Sequence, residues 1–313
     1  MNKNFKKKPS LSVLGGSGLL ARHFLNFIDL NNWEVKVLTR NRSNKFRDGI
    51  KVFIGSIEQP DLIKNFLKKN DCVINFSYLK DKSIEENKYF LSHIVLAAID
   101  RKVKRIIHVS TTDLYGDLQV ERVDENTPCS PVSNYSKIKY ACEVSFLKLT
   151  SGRVDSVVLR PSGIFGPGNE KSFLVTLINN IERSHKISNY LRSCLIGDRN
   201  FNLVSVDNVM QALLFLAKYK KDFQDRVFII SDDDDCHNNY RFIEKFIMQY
   251  KKVSYYKIKP ISLPPFCLRV LLKICGKSEI YSNKVFLNDA IFKLGFKKKI
   301  SFKAALNNFI ATK

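Results

Sequence analysis

Leu11-Ser12-Val13-Leu14-Gly15-Gly16-Ser17-Gly18-Leu19-Leu20-Ala21 is the stretch on which the fold turns. Leu11–Leu14 has the short apolar run of a buried strand, and Leu19–Ile28 has the pattern of a helix. Between them Gly15, Gly18 and Ala21 stand in the spacing G-x-x-G-x-x-A. Gly15 permits a tight turn, and Gly18 lets a pyrophosphate approach the backbone at the helix N-terminus. Ala21 is small enough for the helix to pack on the sheet. A glycine triplet alone is a weak signal and suits a plain turn. In a strand–turn–helix context it points to a dinucleotide, held by Gly15, Ser17, Gly18, Leu19 and Leu20.

Outward from this turn, short apolar runs alternate with longer helical patterns. Strands are expected at Val35–Leu38, Val52–Ile54, Cys72–Asn75, Arg105–Val109, Ser156–Leu159 and Val227–Ile230. Helices are expected at Leu62–Lys69, Asn87–Arg101 and Tyr135–Leu149. Alternation of this kind implies βαβ units, a parallel sheet and a doubly wound α/β fold of Rossmann type. From Gly163 the pattern loosens, and Pro161, Gly163, Gly166, Pro167 and Gly168 mark a loop leaving the sheet. The expected division is a dinucleotide-binding domain of 1–162 plus 198–230, and a smaller, mainly helical substrate domain of 163–197 plus 231–313. In the tail, Leu268–Ile274 is an apolar helix, assigned to core packing rather than to a membrane surface.

The chain has 313 residues, 44% of them hydrophobic, which suffices for a sizeable core. No run of 18 uncharged apolar residues exists, so no membrane-spanning helix and no stable membrane insertion are expected. No signal-peptide core follows Lys6, Lys7 and Lys8. The seven cysteines are scattered and form no CxxC pair, so a reducing cytoplasm fits, with no disulfide framework and no zinc site. They read as small core residues. The net charge of +22 suits an anionic partner, whether nucleic acid, an acidic membrane surface or a phosphorylated small molecule, but a bias toward lysine throughout the chain accounts for it better. Its lysines are dispersed and no aromatic-interleaved basic motif accompanies them, so a phosphorylated small molecule is expected rather than nucleic acid.

After the second strand comes Thr39-Arg40-Asn41-Arg42. A carboxylate there would hydrogen-bond the adenosine ribose of NAD, whereas an arginine accommodates the 2′-phosphate of NADP. Arg40 therefore favours NADP(H), with NAD(H) as the alternative cofactor. Farther on, Tyr135 and Lys139 form Y-x-x-x-K. On a helix these two side chains share one face. A phenol, with an ordinary pKa of about 10, is a poor base at neutral pH. A nearby ammonium favours its ionised form, and such a tyrosine can pass a proton to or from an oxygen while hydride moves. Thr111 follows the strand Arg105–Val109, and a hydroxyl at a strand's carboxyl end can hold a substrate oxygen.

Taken in order, the glycine turn, Val109-Ser110-Thr111 with Tyr115-Gly116, Tyr135/Lys139, and Leu159-Arg160-Pro161 with Phe165-Gly166-Pro167-Gly168 resemble the extended short-chain dehydrogenases. Within them the likeness is to the nucleotide-sugar epimerase/dehydratase family. Val206-Asp207-Asn208-Val209 and Leu294-Gly295-Phe296 with Ile300-Ser301-Phe302 extend the resemblance over nearly the whole chain. The resemblance implies catalytic roles for Thr111, Tyr135 and Lys139, with Tyr135 as acid/base and Lys139 lowering its pKa. It also implies cofactor contacts from Ser56, Ile57, Phe76, Tyr78, Tyr135, Lys139 and Pro161, substrate contacts from Asp113, Gly163 and Asn202, and a homodimer through the Y-x-x-x-K helix and its neighbour.

The chain departs from the family's pattern at several points. Ser56 stands where an acidic residue usually contacts adenine, and Tyr78 is large where a small residue is usual. Gly163 replaces an asparagine, and Phe201-Asn202 replaces an arginine. Thr112-Asp113 keeps one acid of the dehydratase Asp-Glu pair, which disfavours 4,6-dehydration. Arg199–Val209 and Leu263-Pro264-Pro265 resemble the 4-ketoreductases. The first reading is thus an NADP(H)-dependent reductase of a UDP-linked 4-keto-6-deoxy sugar, in surface-polysaccharide precursor synthesis. The alternative is an NAD-dependent UDP-sugar 4-epimerase, ahead of a dehydratase or a non-catalytic dinucleotide-binding sensor. Asp232-Asp233-Asp234-Asp235-Cys236-His237 looks like a metal cluster, but consecutive carboxylates in an extended run cannot face one ion, so it reads as a solvated, helix-capping loop with no metal. His23, His93 and His108 read as packed or exposed rather than catalytic, and His185 as part of a polar loop.

Overall fold

The computed structural model describes residues 8–42, 45–116, 118, 120–170, 172–264, 266–267, 270, 274 and 284–313. Its main sheet consists of β1 (Ser10–Leu14), β2 (Glu34–Thr39), β3 (Lys51–Ile54), β4 (Cys72–Asn75), β5 (Arg105–Val109), β7 (Ser156–Pro161) and β10 (Arg226–Ile230). The strand order is β10-β7-β5-β4-β1-β2-β3. The pairings β1–β2, β2–β3, β1–β4, β4–β5 and β5–β7 are all parallel. This is the doubly wound Rossmann arrangement expected. The chain runs outward from β1 to β3, then returns to lay β4 on the other side of β1. Ligands bind at such a reversal, beyond the carboxyl ends of the strands.

The crossover helices are α1 (Leu19–Phe27), α2 (Pro60–Phe66), α3 (Ile84–Asp100) and α4 (Asn134–Thr150). Their ends follow local chemistry that hydrophobic periodicity does not register. Pro60 starts α2 at its first turn, two residues before the expected Leu62. Ser83 and Glu86 form a capping box that starts α3 three residues before the expected Asn87. Between the sheet and α2, α3 and α4 lies one apolar core, with Phe66, Val73, Ile94, Ile106, Phe146 and Val158 among its buried members.

The fold groups into two compact units. The first comprises Met1–Leu114, Ser133–Arg160 and Met210–Phe228, and the second Tyr115–Val132, Pro161–Val209 and Ile229–Lys313. In the first, the fully buried Arg105 binds Asp155 and donates to the carbonyls of Leu216, Tyr219 and Lys221, satisfying the C-terminal end of α7 (Val206–Lys218).

The second unit contains α5 (Phe173–Arg183), α6 (Lys186–Ile196), α8 (Tyr240–Tyr250), α9 (Asp289–Lys293) and α10 (Phe302–Ala311). Phe165, Leu177, Tyr240, Ile243, Phe302 and Phe309 are buried together in its core. The expected loop from Gly163 is in part a strand. Gly163–Phe165 forms β8 and pairs in parallel with β9 (Leu203–Ser205). The glycine is no breaker here, because its N–H donates to Asn202 O at 2.8 Å. A second small ladder joins β6 (Arg122–Val123) to β11 (Val285–Phe286).

Three further expectations need correction. The acidic run is a solvated loop only in part, since Asp232 is buried and Asp233 half-buried while Asp234 and Cys236 are exposed. Asp232 accepts from Ser205 N and Asn208 Nδ2, and Asp233 from Phe286 N, Asn202 Nδ2 and Asn238 Nδ2. The two carboxylates tie separate segments together, and burial pushes Asp233 up to about 7. The cap of α8 is Asn239, while Asp235 accepts from Phe302 N at the start of α10. Of the cysteines, Cys72 and Cys142 are buried as expected, but Cys236 is exposed and Cys129, Cys194 and Cys267 are partly exposed. Finally, most of the expected helix Leu268–Ile274 lies outside the described residues, and its described members Val270 and Ile274 are exposed rather than packed.

Candidate active site

The glycine turn is built as its spacing requires. Gly15 has φ +81°, and a side chain on it would meet the backbone of Phe76 and Ser77 at about 3 Å. Gly16, which the G-x-x-G-x-x-A reading passes over, has the tighter constraint. A Cβ there would lie 2.3 Å from Val37 Cγ2, while its N–H donates to Leu38 O at 3.0 Å. Gly18 caps α1 without a side-chain hydrogen bond, and no acidic residue stands in the first turn. The first amide groups of α1 are therefore open to an anion.

Around this turn is a pocket that collects Gly15, Ser17, Gly18, Arg40, Ile57, Phe76 and Tyr78 from the expected set. Leu38, Thr39, Gly55, Ser77 and Leu79 complete it, and these the sequence reading had not singled out. All lie at the carboxyl ends of β1–β4, so strand ends alone could have nominated them. The lining does not include Leu19, Leu20 or Ser56. Leu19 and Leu20 can offer backbone amides from the first turn of α1. Ser56 is turned to its own loop, where its hydroxyl donates to Glu58 Oε2 at 2.8 Å. Asn75 shapes the wall at β4 by accepting from the Ser77 amide and hydroxyl.

Thr111 and Tyr135 meet beside this pocket. Thr111 is buried just beyond β5, and its hydroxyl lies near enough to the Tyr135 phenol to favour the ionised form. Ser133 accepts from Ser136 N and so starts α4 one residue ahead of Asn134, which fixes Tyr135 in its first turn. Lys139 lies on the same face one turn on. It is buried, and its Nζ donates to Val109 O at 2.9 Å. Tyr78 joins the two halves of the site. It lines the pocket, stands edge-on to Tyr135 with ring centroids 5.3 Å apart, and has Lys139 Nζ 5.6 Å from its centroid.

The electrostatics differ from the sequence expectation. Tyr135 is not lowered by Lys139. Burial of its hydroxyl end, the Asp113 carboxylate and Tyr78 push its pKa well above the ordinary phenol value, against the Thr111 hydrogen bond. Its ring stays 38% exposed, so substrate can reach it. Lys139 is itself lowered to about 8 by burial. Its ammonium is committed to Val109 O, which explains why it does not serve the phenol. Asp113 is exposed, and its amide donates to Thr111 Oγ1. His108 is packed as expected. It stacks on Phe146, meets Asn75 Nδ2 at its Nδ1, and is held neutral by burial, with a pKa of about 3.

Pro161, Gly163 and Asn202 belong to the second unit. Asn202 has a left-handed backbone, φ +51°, and its amide group donates to Asp233 Oδ2 and Lys284 O. Among the described residues, Asp235, Cys236 and His237 alone bring three potential metal-ligand atoms together, within 4.8 Å. They are engaged with one another, Asp235 Oδ1 lying 2.7 Å from His237 Nδ1.

Residues 11–231 match the NAD dependent epimerase/dehydratase family. The chain is 27% identical over 154 residues to a dTDP-glucose 4,6-dehydratase of Mycolicibacterium smegmatis, across 43% of this chain and 46% of that protein. It is 26% identical over 181 residues to a 4-hydroxy-2-methyl-3-oxo-4-farnesyl-3,4-dihydroquinoline-1-oxide ketoreductase of Stigmatella aurantiaca, across 54% of each. The chain thus spans about half the length of these curated relatives. The fold superposes on a UDP-glucose 4-epimerase from Thermotoga maritima, solved with UDP-glucose, with a TM-score of 0.70 and 19% identity over 96% of this chain and 97% of that one. The chain belongs to the NAD dependent epimerase/dehydratase family and has the fold of an extended short-chain dehydrogenase/reductase.

Proposed function

We propose that this member of the NAD dependent epimerase/dehydratase family is an enzyme that reduces a UDP-linked 4-keto-6-deoxy sugar with NADPH. The observation that carries the reading is that Tyr135 stands edge-on to Tyr78, ring centroids 5.3 Å apart, at a glycine-turn pocket that also contains Arg40. The pocket suits a dinucleotide. Gly15 and Gly16 leave no room for a side chain, α1 opens without a carboxylate, and Arg40 offers a guanidinium to a 2′-phosphate. When bound, the reduced nicotinamide supplies hydride to the carbonyl carbon.

The remaining steps belong to this chain's own groups. Thr111 orients the carbonyl oxygen by hydrogen bonding. Tyr135, kept protonated at neutral pH by its burial, donates the phenolic proton to that oxygen as the C–O double bond becomes a hydroxyl. Water then returns a proton to the tyrosinate. Lys139, whose ammonium also donates to Val109 O, would hold the cofactor's ribose when it is bound.

The second reading is a UDP-sugar 4-epimerase, favoured by the fold-wide likeness to the Thermotoga maritima epimerase. Binding of NADPH against NADH to the purified protein separates the two. Exchangeable NADPH bound at least tenfold tighter, followed by consumption with UDP-4-keto-6-deoxy sugars, supports the reductase. NAD that co-purifies and resists exchange supports the epimerase. Binding of neither, or a function in cells that survives Tyr135→Phe, leaves the non-catalytic reading. The proposal includes a cytoplasmic homodimer formed through α3 and α4, whose exposed Tyr89, Leu96 and Val144 are apolar side chains in need of a cover.

A further inference from the structure

The second unit carries an ordered strap of exposed apolar and basic side chains after α8. Tyr256 turns inward, where its hydroxyl donates to buried Glu244 at 2.9 Å. The next three residues, Lys257, Ile258 and Lys259, are all exposed. The backbone is then pinned. Arg241 donates to Pro260 O and Ser262 Oγ, Ser262 donates to Asp198, and Leu263 N donates to Cys194 O on α6 at 2.8 Å. Tyr190 on α6 meets Tyr256 with ring centroids 5.2 Å apart. The strap therefore lies against α6, and its outward side chains are held in place.

What it presents is unusual for a surface facing only water. Ile187 and Leu191 of α6 and Ile258, Ile261, Phe266 and Ile274 of the strap are each between 60% and 77% exposed. Phe266, Val270 and Ile274 are each helical. Single exposed apolar residues need no explanation, but a run of large aliphatic ones does. Charge identifies what covers it. Residues 245–278 contain eight lysines and arginines and not one aspartate or glutamate. A second copy of the chain would bring the same positive charge to the contact. An anionic bilayer offers apolar depth for the aliphatic side chains and negative headgroups for the lysines. No helix among the described residues is long and apolar enough to cross a membrane.

From these features we infer that the strap at 257–264 together with Phe266, Val270 and Ile274, and the adjoining face of α6, seats the protein on an anionic phospholipid surface. The protein lies on that surface rather than in it. Ile258, Ile261 and Phe266 enter the boundary between headgroups and acyl chains, and Lys257 and Lys259 lie among the phosphates. This inference is independent of the reaction assigned to the first unit.

The test is co-flotation of the full chain with vesicles of equal parts phosphatidylglycerol and phosphatidylcholine, against vesicles of phosphatidylcholine alone. Binding to the first and not the second, lost in 0.5 M salt, is expected. Reversing Lys257 and Lys259 to Glu should weaken partitioning about tenfold or more. Ile261→Glu with Phe266→Glu should weaken it at least as much, while cofactor binding persists and shows that the variants are folded. Failure to bind anionic vesicles overturns the inference. So does binding that neither pair of substitutions weakens, or a change of oligomeric state in Ile261→Glu/Phe266→Glu, which would make a second copy the occupant.

Discussion

At the scale of single residues, the site rests on Thr111 and on two side chains whose protonation is set by burial. Tyr135 sits above the ordinary phenol range and Lys139 is lowered to about 8. Removing the proton donor by Tyr135→Phe should cut turnover by about 10²- to 10⁴-fold while cofactor affinity holds, measured by steady-state rates beside calorimetric titration. Lys139 makes an opposite pair of trends. Its ammonium is disfavoured in the fold, so above about pH 8 the folded chain releases that proton before the unfolded chain does. Stability of the cofactor-free protein should therefore rise from about pH 8 toward the ordinary lysine value, 10.5. Over the same window cofactor affinity should fall, because the charge offered to the ribose is being lost. Lys139→Met should flatten both curves. If cofactor affinity is level from pH 7 to 10 in the unsubstituted protein, Lys139 is not a cofactor ligand.

Elements show how much could be read ahead of the coordinates. All seven strands of the main sheet stand within two residues of their expected positions, because buried parallel strands are short apolar runs between breakers. Helix starts were missed where caps set them, as at Ser83 and Pro60. Less legible were features that depend on distant partners. Asp232 and Asp233 look like solvent-exposed charge in sequence, and only the donors from Ser205, Asn208, Asn202 and Phe286 draw Asp232 inside and leave Asp233 half-buried. Likewise, the i,i+4 spacing correctly placed Tyr135 and Lys139 on one face, but not the Val109 carbonyl that takes the ammonium away from the phenol. Gly16 is the clearest element-level case. Adding a methyl there drives it into Val37 of β2, and Gly16→Ala should cost about 1–3 kcal/mol, read as a lower denaturation midpoint. Gly152, with φ +67° and open space around it, should be destabilised less by the same change, since strain acts there without overlap. On the outer face of α3 and α4, Leu96→Glu with Val144→Glu should convert a dimer to monomer in light scattering. A protein already monomeric before substitution would remove these helices as an interface.

For the whole molecule the dominant quantity is the charge of +22. A charge of this size cannot specify a fold, but it sets the field that an approaching ligand meets. The proposed cofactor and substrate both carry diphosphate, so the field attracts them whether or not any single lysine touches them. Screening separates this long-range attraction from contact at the site. The Debye length is about 10 Å at 0.1 M salt and about 3 Å at 1 M. Attraction by dispersed surface lysines should fade over that range, whereas a contact between Arg40 and a phosphate inside the pocket should persist in larger part. Stopped-flow measurement of NADPH association should therefore show an on-rate that falls about tenfold or more between 0.02 and 0.5 M salt, with a much smaller change in the off-rate. Arg40→Ala should do the reverse, raising the off-rate and narrowing the preference for NADPH over NADH while the salt dependence of association stays. If instead the on-rate is flat with salt, the surface charge does not steer the cofactor, and the basic strap that follows α8 becomes the part of the molecule with a use for that charge.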